Sequence, residues 1–178
     1  GVLPIKISFF AGDWSAGEIA AIRKAGQTWN DFFTASKGVN VFDLGPEGGH
    51  QSTNSQVTPS CASGAISDGT VIYKRAAAWT KGESAVALTT LCTNATGTPS
   101  SGSLATIFNA IMEFNYKNFF VPPASRFPDI ESITLHELGH LLGLDHACGP
   151  LSQSKAGLPN AACPDVNANA NHFLVQAI

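Results

Sequence analysis

The stretch His136-Glu137-Leu138-Gly139-His140-Leu141-Leu142-Gly143-Leu144-Asp145-His146 decides how the chain is read. On a helix of about 3.6 residues per turn, residues four apart share a face, so His136 and His140 can present their rings to one metal ion. Glu137 follows the first histidine and projects to the flank of that face. There a carboxylate can reach a water on the metal without becoming a ligand. Gly143, three residues past His140, is the residue best able to take a positive φ and turn the chain back. That turn brings His146 round as a third nitrogen donor. Three His ligands leave a fourth position for water, the layout of catalytic rather than structural zinc.

The signal is specific. H-E-x-x-H alone arises by chance in roughly one chain of this length in a few hundred, and Gly and His at the further offsets make coincidence rarer still. The competing reading is a core helix in which Leu138, Leu141 and Leu142 pack inward and the histidines merely find hydrogen-bond partners.

The pattern H-E-x-x-H-x-x-G-x-x-H resembles the metzincin clan of zinc endopeptidases, and the wording HELGHLLGLDH is most similar to its matrixin-like branch. Looser likenesses lie upstream, in AIRKAGQTWNDF (Ala21 to Phe32), Ala85 to Thr90 and Ile111 to Asn115. The resemblance implies an α/β fold with a twisted mixed five-stranded sheet, a backing helix and a catalytic helix. It also implies His136, His140 and His146 as zinc ligands and Glu137 as general base. A methionine turn should follow the third histidine, yet the one methionine is Met112, upstream of the site. Either that methionine has been replaced or the chain continues past Ile178. The likeness of Gln176-Ala177-Ile178 to residues that lead into such a turn favours the continuation.

The 178 residues fit one catalytic domain, with an upper sub-domain over about 1–143 and a short lower part over about 144–178. Hydrophobic residues make up 44%, enough for a core, and charged residues only 13%. With a net charge of −3 and scattered Lys and Arg, there is no basic footprint for nucleic acid or an anionic membrane. No apolar run is long enough to span a bilayer, and a chain opening at Gly1 reads as a mature or processed form. Cys61, Cys92, Cys148 and Cys163 contain no C-x-x-C pair, which argues against a thiolate zinc site. Two disulfides fit better, with Cys61–Cys92 and Cys148–Cys163 the favoured pairing of three, and they point to secretion. Free buried thiols in a cytoplasmic protein are the alternative.

Along the chain, Ile5, Ile7 and Phe9 alternate with polar residues as in a strand. Ser15-Ala16-Gly17-Glu18 has the capping-box pattern, opening a helix whose Ile19, Ile22, Gly26, Trp29 and Phe33 form one stripe and which Lys37-Gly38 stops. Val39 to Leu44 reads as a second strand and Gly45 to Gly69 as a surface loop. His50 and Asp68 lie in that loop. They could help hold the accessory ion the resemblance allows, but the ligand spacing is absent and His50 reads as exposed and inert. A Ca2+ ion is likewise permitted by the resemblance, without any calcium-loop pattern. Val71 to Tyr73, Ala85 to Cys92 and Ile107 to Phe114 supply three more strands. In the resembling family the second of these is the sheet edge on which an extended substrate pairs. Asp129 is an N-cap for a helix from Ile130 to about Leu142. His172 reads as a surface residue.

These readings converge on a secreted, monomeric zinc endopeptidase acting on protein or peptide. Imidazoles must be neutral to ligate and ordinarily protonate near pH 6.5, so cleavage should fade below about pH 6. The alternatives are a zinc-containing binding domain that no longer cleaves, a metal-free structural module, and a hydrolase of non-peptide amides.

Overall fold

Both helices begin at the caps written in the sequence. In the computed structural model, which describes residues 4–52, 69–81, 85–94, 106–120 and 129–144, helix α1 spans Ala16–Lys37 and helix α2 spans Ile130–Leu141. The Ser15 hydroxyl accepts from the Glu18 amide, while the Glu18 carboxylate accepts from the Ser15 amide at 2.8 Å, completing the capping box. Gly38, in the left-handed region, closes α1. Asp129 accepts from the amides of Glu131 and Ser132 at the head of α2.

Among the described residues the sheet has six strands: β1 (Ile5–Phe10), β2 (Phe42–Asp43), β3 (His50–Ser52), β4 (Thr70–Lys74), β5 (Ala87–Asn94) and β6 (Thr106–Phe114). Their order is β2-β1-β4-β6-β5, with β3 also paired to β1. All pairings are parallel except β5 with β6, which is antiparallel, so the sheet is mixed. Against the five strands expected, the described residues form six, two of them short. Ile5 and Lys6 pair with Phe42 and Asp43, and Ser8 to Phe10 pair with His50 to Ser52. Because β4 holds the other side of β1, β2 and β3 share one edge row interrupted by residues 44–49. The three-residue β3 lies in the stretch read as loop, and three residues are too few to show a period of two.

The same pairing corrects the reading of His50. Docking β3 on β1 brings the ring beside β2, and His50 Nε2 lies 2.9 Å from Asp43 Oδ1. The neighbouring His50 ring is the largest influence holding the Asp43 carboxyl below its usual range, and His50 is half-buried and engaged.

The strands alternate between two faces. Ile7, Phe9, Ile72, Ala110, Met112 and Phe114 form one buried cluster with Ile19, Ile22 and Ala25 of α1 and Leu138 and Leu141 of α2. Val71, Tyr73, Ile111 and Cys92 form a second, on the opposite face, with Phe10 packed against it. Fully burying each large apolar side chain contributes about 1.5–3 kcal/mol, which makes the first cluster the principal core. Cys92 is disulfide-bonded, and its partner lies outside the described residues, as do Cys61, Cys148 and Cys163.

Two polar side chains tie α1 to the sheet. Asn30, 4% exposed, accepts from the amides of Val41 and Phe42 at 2.9 and 2.8 Å and donates to the Phe42 carbonyl at 2.9 Å. It therefore satisfies the start of the short strand β2 from the side of the helix. The Glu18 carboxylate accepts from Lys74 Nζ at 2.7 and 2.8 Å and from the Tyr116 hydroxyl at 2.7 Å. Burial raises its carboxyl, but the Lys74, Tyr116 and Ser15 hydrogen bonds outweigh that and bring it down to about 2. Lys74 also lies over the rings of Trp14 and Tyr116. No helix among the described residues is long and apolar enough to cross a membrane.

Candidate metal and catalytic site

Helix α2 packs on α1, β5 and β6, with Thr134, His136, Glu137, Leu138, Gly139 and Leu141 buried. Gly139 lies at the crossing with α1, where a Cβ would meet Trp29 Cζ2 at 3.5 Å. The Trp29 indole donates to the Leu135 carbonyl at 3.0 Å, one residue before His136. The helix carrying the two histidines is thus pinned from behind.

The end of α2 sets the histidine chemistry. Gly143 takes φ +87, its amide donates to the His140 carbonyl at 2.8 Å, and the Leu144 amide donates to the Gly139 carbonyl at 3.0 Å. This is a Schellman closure, in which a left-handed residue lets two amides reach back to the last turn. The closure folds the Leu144 carbonyl over His140, whose Nδ1 lies 2.8 Å from that oxygen. A carbonyl only accepts, so Nδ1 carries the proton, and in the neutral ring Nε2 presents its lone pair.

That lone pair meets the other histidine. His136 Nε2 lies 3.0 Å from His140 Nε2, with the rings at 89° and their centroids 4.6 Å apart. Two nitrogens on a tetrahedral zinc at 2.0–2.1 Å stand about 3.3 Å apart, so the pair is close to the spacing such an ion requires. The donor set and the fixed tautomer fit a borderline metal such as zinc. Among the described residues no group of three or more His, Cys, Asp or Glu side chains gathers to hold an ion. His146 lies outside the described residues, as do Asp68, His172 and the tail over 176–178.

Glu137 is 5% exposed and lies toward β5. The Thr89 hydroxyl of β5 is 2.7 Å from Glu137 Oε2 and 3.2 Å from the Glu137 carbonyl oxygen. Burial pushes the Glu137 carboxyl up, and the Thr89 hydrogen bond and the nearby His140 offset this only in part. A carboxyl raised by burial, beside two histidines, has the character expected of an acid–base group. Sequence reasoning located Thr89 on a strand but not at this carboxylate, 48 positions away, and no local pattern signals such a partner. The Leu144 contact, by contrast, follows from Gly143 once the closure is recognised.

The family model described as Matrixin matches residues 45–153, more than half of the chain and including all of α2. The chain belongs to the matrixin family. Matrixins are zinc-dependent metalloendopeptidases acting on peptide or protein substrates, and the mixed sheet with two helices is consistent with their fold. No curated protein and no solved structure matches the chain. In this matrixin the match takes in β3 to β6 as well as α2, so both sides of the Thr89–Glu137 contact lie within it.

Proposed function

We propose that the chain is a secreted zinc endopeptidase in which His136, His140 and His146 hold the ion and Glu137 is the general base. The observation that carries this reading is the meeting of His136 Nε2 and His140 Nε2 at 3.0 Å on consecutive turns of α2, with a buried carboxylate between them in sequence. The Leu144 carbonyl supports it by leaving His140 with one protonation pattern suited to ligation. Bound there, zinc supplies a Lewis acid for the scissile carbonyl and makes water a nucleophile near neutral pH. Glu137 takes up the water's proton on its carboxylate and delivers it to the departing amine. Among the described residues β5 ends the sheet order, and a peptide laid along it in extended form would gain backbone hydrogen bonds and pass Glu137. Disulfides Cys61–Cys92 and Cys148–Cys163 would suit an oxidising extracellular setting, and a structural Ca2+ is an open addition to the ion set.

The test is direct. Chelation of the purified chain should abolish cleavage of an unfolded protein, and stoichiometric zinc should restore it. Glu137→Gln should keep its zinc and lose turnover by about 1000-fold or more, read from metal content and peptide cleavage together. Full cleavage by that variant would remove Glu137 from its role. Tight zinc with no hydrolysis by the parent would instead indicate a binding domain.

A further inference from the structure

We infer that Thr89 is a positioning residue for Glu137, joining the substrate-binding edge of the sheet to the general base. The inference rests on the function proposed above for Glu137, but its geometric basis is independent of any ion. The hydroxyl lies 2.7 Å from Oε2 and 3.2 Å from the main-chain carbonyl of the same glutamate, so one side chain grips both ends of Glu137.

Three features give that grip a consequence. Glu137 is buried, and the Thr89 hydroxyl is the one hydrogen-bond partner of its carboxylate among the described residues, so the carboxylate's orientation depends on this contact. The hydroxyl engages Oε2, which leaves Oε1 as the oxygen to exchange a proton. Thr89 also sits on a fixed floor: its Cα partner in β6 is Met112, fully buried in the core, and the ladder between the two strands is regular from Ala87 to Cys92. The carboxylate is therefore referenced to the sheet as well as to its own helix. A side chain that only filled space would need its methyl group; a positioning role needs its hydroxyl.

Two variants separate those roles. Thr89→Val keeps the shape and loses the hydroxyl, and Thr89→Ser does the reverse. In the zinc-loaded enzyme, Thr89→Val should lower kcat about ten- to hundredfold with KM within about twofold, and Thr89→Ser should return kcat to within about threefold of the parent. A second readout needs no catalysis. In the metal-free chain, urea unfolding of Thr89→Val, Glu137→Gln and the double variant should be non-additive by about fivefold or more in the folding equilibrium constant. Additive unfolding, a Thr89→Val enzyme with the parent's kcat, or a Thr89→Ser enzyme worse than Thr89→Val would each overturn the inference. If the parent itself fails to cleave, the unfolding cycle still decides whether Thr89 holds Glu137, and only the endopeptidase reading falls.

Discussion

At the scale of single residues, the site depends on a few atoms that the H-E-x-x-H spacing alone does not name. Gly143 is the clearest case. Its φ of +87 is costly for any residue with a side chain, by about 1–2 kcal/mol, and the Leu144 carbonyl reaches His140 only through that conformation. Gly143→Ala meets no hard obstacle, since the nearest atom, Ile107 Cδ1, would lie 3.7 Å from the new Cβ. The expected result is a chain that folds but binds zinc about 10- to 100-fold more weakly, as the orienting hydrogen bond on His140 is disturbed. Competition against a chromogenic chelator measures it, and unchanged affinity would show that the closure does not tune the ligand. Asn30 is a structural counterpart. Asn30→Ala strands two buried amides and one carbonyl of residues 41 and 42 and should cost about 2–4 kcal/mol in urea unfolding.

At the scale of elements, the helices could be read from the chain and the edge row could not. Caps act over three or four residues, so Ser15 with Glu18, Asp129, and Gly143 announce their elements locally. β4, β5 and β6 were foreseeable within one or two residues from their apolar runs. The strand expected over Val39 to Leu44 shrinks to Phe42–Asp43, because Asn30 supplies the pairing for residues 41 and 42 that a longer strand would have made. β3 became a strand through its partner, β1, and no periodicity in three residues could show it. The site divides in the same way. His136, Glu137 and His140 lie within five residues of one helix and are plain from the sequence; Thr89 reaches Glu137 through tertiary packing and is not. Ser15→Ala tests the local half of this argument: loss of the capping hydroxyl should lower stability by about 1 kcal/mol, read as a shift in thermal midpoint.

At the scale of the whole molecule, the polar ties set how the fold responds to acid. Glu18 has its carboxyl held at about 2, well below its ordinary value of 4.5. A depressed folded-state pKa means the unfolded chain takes up the proton first, so this contribution is complete above about pH 4.5 and disappears as pH falls through about 2. At this partly exposed position, solvent screening limits it to about 1–2 kcal/mol. The stability gap between parent and Glu18→Gln should therefore narrow between pH 4.5 and 2, and a constant gap would show that charge on Glu18 is immaterial. One tie also places a reporter at the helix. The Trp29 indole donates to the carbonyl of Leu135, next to the first histidine. Loosening of α2 should reach the indole as water and shift its fluorescence to the red, read in a Trp14→Phe, Trp79→Phe background in which Trp29 alone emits, giving an optical titration of the segment that carries His136 and His140.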